Sequence, residues 1–95
     1  MKFERKKAIK DTVINFNIGG YCFYVQNMTK GNIYVSFNKN DPKDKRIRIP
    51  AGYGTEIYSG SPKNVYGEKA DIVSILCTAN SENDEDTIQV EALIY

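Results

Sequence analysis

Apolar and polar residues alternate with a period of two along almost the whole of this chain, a pattern that suits strands with one buried face and not helices. In TVINFNI, Ile14, Phe16 and Ile18 alternate with Val13, Asn15 and Asn17. Gly19-Gly20 stops the run and YCFYVQ starts at once, which predicts a tight two-residue hairpin. Such a loop pairs Ile18 with Tyr21, and counting outward sets Phe16 against Phe23 and Ile14 against Val25, all apolar and on one face. Asn15 with Tyr24 and Asn17 with Cys22 fall on the other face.

The same reading extends down the chain. Met28 to Gly31 predicts a turn, with Gly31 supplying a left-handed residue for a bulged hairpin. In NIYVSFNKNDPKDKRIRI, Ile33, Val35 and Phe37 point one way and Tyr34 and Ser36 the other. After the polar tip from Asn38 to Lys45, Ile47 and Ile49 alternate with Arg46 and Arg48, and Pro42 forbids a continuous ladder through the tip. Pro50-Ala51-Gly52 is a turn with Pro at an early corner and Gly at its exit. From Gly52 to Ala70 the pattern loosens around a short strand near Thr55 to Tyr58, with a short turn expected near Lys63 to Gly67.

DIVSILC, Asp71 to Cys77, is nearly all apolar, as expected of a central strand. TIQVEALIY ends the chain with Ile88, Val90, Ala92 and Ile94 on one side of a last strand. Gly67 and the β-branched Ile72, Val73 and Ile75 count against a helix before it. Seven or eight short strands in 95 residues predict one all-β domain, a small antiparallel β-sandwich, with a small β-barrel as the alternative.

Charge is balanced in sum and polarised in place. Thirteen basic residues oppose twelve acidic ones, which argues against a general nucleic-acid binder, although an OB-type barrel using Lys45, Arg46 and Arg48 is conceivable. Lys2, Arg5, Lys6, Lys7 and Lys10 crowd residues 1–10, read as a basic N-terminal arm ahead of a sandwich spanning 11–95. Glu82, Asp84, Glu85, Asp86 and Glu91 gather near the other end. These blocks are either solvated or matched to each other, with the arm of one copy docking on the acidic loop of another. The charged opening Lys2 to Lys10 does not fit a secretory signal and no run suits a membrane helix, so synthesis in the cytoplasm is expected.

The chain contains no histidine, which removes the commonest general base and the Ser-His and Cys-His nucleophile pairs. Cys22 and Cys77 are too far apart for a zinc knuckle or a redox pair and read as buried small hydrophobes, or a disulfide if their strands are neighbours. Asp84-Glu85-Asp86 lacks the alternating ligands and turn glycine of a calcium loop. Ala51-Gly52-Tyr53-Gly54 precedes a strand and not the helix that a phosphate cradle needs. Asn27-Met28-Thr29 matches a glycosylation acceptor with no secretory context. No enzyme, metal or cofactor is expected. Contact residues are: Tyr24 and Tyr34 lie opposite the expected core and Tyr53, Tyr58 and Tyr66 populate the irregular stretch, where each is either a core-edge cap or a partner-binding side chain. Phe3 with Arg5, Lys6 and Lys7 completes the candidate binding set.

Several features together resemble small β-sandwich accessory proteins of tailed bacteriophages, the head decoration and head-fibre-like proteins. They are Tyr24, Val25 and Asn27; the turn into Gly31, Ile33, Tyr34, Val35 and Ser36; the corner Ile49-Pro50-Ala51-Gly52; and the strand Ile88 to Ala92. The resemblance implies a virion structural protein bound in many copies to a coat-protein shell, with homo-oligomers expected and attachment weakened by salt. A neck or tail accessory is a variant of that role. A carbohydrate-binding module using Tyr53, Tyr58 or Tyr66 as ring platforms is the competing expectation.

Overall fold

The computed structural model describes residues 2–59 and 68–95. Tyr66 and the turn expected near Lys63 to Gly67 lie outside the described residues. Eight strands are seen: β1 (Lys2–Lys7), β2 (Val13–Phe16), β3 (Cys22–Asn27), β4 (Ile33–Ser36), β5 (Ile47–Ile49), β6 (Gly54–Tyr58), β7 (Val73–Cys77) and β8 (Thr87–Ile94). A single 3-10 turn, Lys43–Lys45, sits between β4 and β5. The strands form two four-stranded sheets in the orders β1-β8-β3-β6 and β2-β7-β4-β5. All pairs are antiparallel, so the expected all-β sandwich is what the chain adopts.

The pairing is nested: β1 lies against β8, β2 against β7, β3 against β6 and β4 against β5. A four-pair ribbon of that kind rolls up when β3 also meets β8 and β4 also meets β7, as they do here. This is the connectivity of a jelly roll.

Each sheet turns one face inward. Phe23, Val25, Ile57, Ile88, Val90 and Ala92 face Phe16, Ile33, Val35, Ile49, Val73, Ile75 and Cys77, and all are buried. Burial of one such aliphatic or aromatic side chain is worth roughly 1.5–3 kcal/mol, so this double layer is the main source of stability. β7 and β8 each lie between two other strands, in keeping with the apolar character of DIVSILC and TIQVEALIY.

Two expected hairpins are absent. β2 and β3 belong to different sheets, so Gly19-Gly20 carries the chain across the sandwich and Phe16 does not pair with Phe23. The alternating pattern is met equally well either way, because Phe16 and Phe23 are both buried, one from each sheet. The glycine at 20 answers a steric demand: a Cβ there would lie 2.8 Å from the Ile94 carbonyl oxygen and 3.3 Å from the Phe23 ring. Its backbone bridges Ala70 in both directions, each N–H···O at 2.9 Å.

Met28 to Gly31 is likewise a crossing from β3 to β4 and not a bulged hairpin. Gly31 has no left-handed backbone and is needed for space, since a Cβ would meet Thr78 Oγ1 at 2.7 Å and the Ala79 Cβ at 2.9 Å.

Asn27 pins this crossing. It is fully buried; its Nδ2 donates to the carbonyls of Gly31 (2.9 Å) and Ile49 (3.0 Å), while its Oδ1 accepts from the Thr29 N–H (3.0 Å) and hydroxyl (2.6 Å). Its backbone bonds Tyr53 and Gly52, each at 2.8 Å. Gly52 has φ +81° and Tyr53 N–H reaches the Pro50 carbonyl at 3.2 Å, the turn that Pro50-Ala51-Gly52 predicts. An amide with all four hydrogen-bonding positions filled inside the protein is not an accessible glycosylation acceptor.

Candidate functional site: the outer face of the β1-β8-β3-β6 sheet

Residues 2–10 are not a free arm. β1 is an edge strand paired along its whole length with β8, from Lys2 against Ala92 to Lys7 against Thr87. Alternation then divides its side chains. Lys2, Glu4 and Lys6 share the inward side with Ala92, Val90 and Ile88, whereas Phe3, Arg5 and Lys7 share the outward side with Glu91, Gln89 and Thr87.

The register continues across the sheet. Phe3, Glu91, Tyr24 and Glu56 form one outward row; Arg5, Gln89, Gln26 and Gly54 form the next. Tyr58 stands opposite Cys22, and Leu93 occupies the bulge where the β3–β8 register shifts. Phe3 is 50% exposed and Leu93 41%, while Tyr24 and Tyr58 are half-buried. Polar partners frame them: Arg5 donates to Gln89 Oε1 at 2.9 Å, and the Tyr58 hydroxyl donates to Glu56 Oε2 at 3.1 Å. That bond, with the Glu56 charge, raises the Tyr58 phenol above its ordinary range. The Tyr24 ring lies over Gly54, where a Cβ would come within 2.8 Å of its Cζ. The glycine makes room for the tyrosine to lie flat. The result is a face on which aromatic and aliphatic groups alternate with polar side chains, two pairs of which already bond each other, a mixture suited to a contact surface.

Five of the nine expected contact residues, Phe3, Arg5, Lys7, Tyr24 and Tyr58, therefore share one face. Three do not. Tyr34 is on the outside of the other sheet, in a row with Val13, Leu76 and Arg48, and the Lys43 ammonium sits 4.7 Å from its ring centre. Tyr53 is 65% exposed at the turn after β5. Lys6 points inward, donating to the Asn15 carbonyl at 3.0 Å and lying 5.4 Å from the Phe16 ring centre. The ninth, Tyr66, lies outside the described residues.

The acidic loop meets the basic segment of its own chain. Lys7 pairs with Asp84 at 2.8 Å and Lys30 with Glu82 at 3.2 Å. Backbone contacts reinforce the match: Ala8 N–H to Ser81 Oγ (2.7 Å), Ser81 N–H to the Ala8 carbonyl (2.8 Å) and Lys10 N–H to Asn80 Oδ1 (2.8 Å). The hydrogen bond from Lys7 holds the Asp84 carboxyl below its usual range, and that to Glu82 raises Lys30. Of the basic residues in 2–10, Lys7 is the one that an acidic residue of this loop answers within the chain.

Arg46 is a structural residue that the sequence pattern misses. It is buried, and its guanidinium donates to the carbonyls of Asp41 (2.8 Å), Lys39 (3.2 Å), Tyr34 (3.4 Å) and Ser74 (3.0 Å) and to Ser74 Oγ (3.2 Å). The charged tip of the β4–β5 hairpin is thereby folded back on the sheet, helped by the Ser36 hydroxyl bonding Asp41. Burial lowers the guanidinium pKa and the nearby Asp41 charge opposes that shift. Nothing in KDKRIRI distinguishes Arg46 from the exposed Arg48.

Cys22 and Cys77 are free and buried. Burial raises both thiols; for Cys22 the Glu56 charge adds to it and a bond with Tyr58 opposes it. Among the described residues no group of three or more His, Cys, Asp or Glu is placed to hold a metal ion, and no helix is long and apolar enough to cross a membrane. Comparison of the chain with protein-family models, curated proteins and solved structures finds no match.

Proposed function

We propose that this is a non-enzymatic virion structural protein, a capsid decoration or head-accessory protein of a tailed bacteriophage, made in the host cytoplasm and bound to the assembled coat-protein shell. The observation that carries this reading is the register that aligns Phe3, Tyr24 and Tyr58, with Leu93 beside them, on the outside of one sheet. Two further considerations support it. The sequence resembles phage accessory sandwiches, and the jelly roll is an architecture used by viral capsid domains, an analogy of fold and not of site.

Binding to a lattice is coherent with a small face. A protein that recognises only the assembled form stabilises the shell by mass action, and repetition over many sites, or homo-oligomers matched to the local symmetry, adds avidity to a modest single contact. With Glu91 between Phe3 and Tyr24, and Arg5 and Lys7 on the same face, salt is expected to weaken attachment.

The test is co-sedimentation of the purified chain with undecorated shells and with unassembled coat protein. Saturable binding to shells alone is expected, reduced at least tenfold in Phe3→Ser/Leu93→Ser, whose exposed positions leave the core untouched. Equal binding by that variant, or retention by neither preparation, counts against the proposal.

A further inference from the structure

Opposite the Asn27 crossing, at the other end of the sandwich, a cleft of about 670 Å³ opens between the residues after β2, the start of the β4–β5 tip and the segment leading into β7. Its volume is within the range of roughly 300–1,000 Å³ that small-ligand sites occupy. Four asparagines line it: Asn15, Asn17, Asn38 and Asn40. Phe37, packed against Phe23 with ring centres 5.6 Å apart, supplies an apolar wall. Neither Tyr53 nor Tyr58 is part of it.

The chemistry of this lining selects a ligand class. Lys39 and Lys69 are balanced by Glu68 and Asp71, so neither an anion nor a cation is favoured by charge. Carboxamides both donate and accept, which matches groups that do the same, hydroxyls above all. Asn15 Oδ1, behind the cleft wall, is buried and has no hydrogen-bond partner among the described residues. An unsatisfied buried acceptor is unfavourable, and rotation of the Asn15 amide toward the cleft lets a ligand O–H relieve it. A single aromatic wall beside several amides suits a ring with one apolar C–H face and a polar edge.

We propose that this cleft binds a neutral saccharide, with Asn15, Asn17 and Asn40 bonding its hydroxyls and Phe37 covering one ring face. The inference is independent of the shell-binding face, which lies on the outside of the other sheet, and it moves the carbohydrate site away from the tyrosines that the sequence favoured.

The experiment is a glycan array of bacterial and eukaryotic oligosaccharides probed with the labelled full chain, followed by calorimetric titration of the best-bound sugar. Asn17 and Asn40 are exposed, so Asn17→Ala/Asn40→Ala is expected to keep the wild-type melting temperature and shell binding while sugar affinity falls at least tenfold. Tyr58→Ala is expected to bind the sugar as the wild type does. Silence across the array, unchanged affinity in the double variant, or loss of binding in Tyr58→Ala would each overturn the proposal.

Discussion

Replacing Asn27 by alanine removes the pin between the two sheets, and the cost can be worked from its contacts. The Thr29 N–H and the Ile49 carbonyl lose their bonds to the side chain, while the Gly31 carbonyl keeps the Thr29 hydroxyl at 2.9 Å. Two buried groups left unsatisfied cost about 1–3 kcal/mol each, and the small void adds to that, giving an expected loss of about 3–5 kcal/mol. Against a total stability of about 5–15 kcal/mol for a domain of this kind, that is a large share. Urea unfolding followed by tyrosine fluorescence measures it, and an unchanged slope would show that the loss is in stability and not in the compactness of either state. Thr29→Val removes only the hydroxyl and should cost about 1–2 kcal/mol. The pair Asn27→Ala/Thr29→Val should cost less than the sum, because both act on one network. A loss below about 1 kcal/mol for Asn27→Ala would mean that water replaces the amide, and the argument for a sealed pin would fail.

Arg46→Met is expected to cost about 1–3 kcal/mol and to speed amide exchange across residues 38–45; Arg46→Lys should not rescue it, since one ammonium cannot span acceptors that a planar guanidinium reaches together. Gly54→Ala drives a methyl into the Tyr24 ring and should cost about 1–3 kcal/mol, most of it recovered when Tyr24→Ala is added, a coupling readable in a double-mutant cycle. Removal of residues 2–7 bares the β8 edge, so the shortened chain is expected to associate further than the full chain as concentration rises in light scattering. The Lys7–Asp84 pair has a defined pH signature. Because the folded-state pKa of Asp84 is depressed, its small contribution is present above the usual carboxylate range and is lost as pH falls below about 4. Asp84→Asn should therefore lower the urea midpoint slightly at neutral pH and not at acid pH, and about 1 M salt should erase the difference because both groups are exposed.

The strands were legible because alternation reports which residues need a dry side, and that need is local. Partners were not, because alternation is degenerate: Phe16 and Phe23 satisfy it as neighbours in one hairpin or as opposing faces of two sheets. Glycine compounds the ambiguity, since Gly20 and Gly31 look like turn formers and are present for close approach between strands far apart in sequence. The motif residues Tyr24, Val25, Asn27, Gly31 and Ile49 to Gly52 were legible as a set without a visible reason. Their reason is Asn27, whose side chain reaches Gly31 and Ile49 and whose backbone reaches Gly52. On the contact face, the sequence identified aromatic and basic residues by type, but only the β1–β8 and β3–β8 registers decide which of them share a surface. The Asn cleft was invisible because its four asparagines come from two segments that meet only when the ribbon rolls up.

The treatment of the sheet edges connects fold to role. β1 closes one edge, and its inward side chains are Lys2, Glu4 and Lys6 where a buried strand would carry apolar groups. Inward charge on an edge strand opposes a further strand adding there, because pairing would bury those charges. β5, at an edge of the other sheet, has only three residues. These two edges are therefore poorly suited to recruit a partner by strand addition, and Phe3 and Leu93 present their apolar side chains from the flat of the sheet instead. A partner that meets Phe3, Tyr24, Tyr58 and Leu93 must come to the flat of the sheet, as a rigid surface does and an extended peptide does not. Under the proposed function, that geometry suits a pre-assembled shell better than a disordered segment.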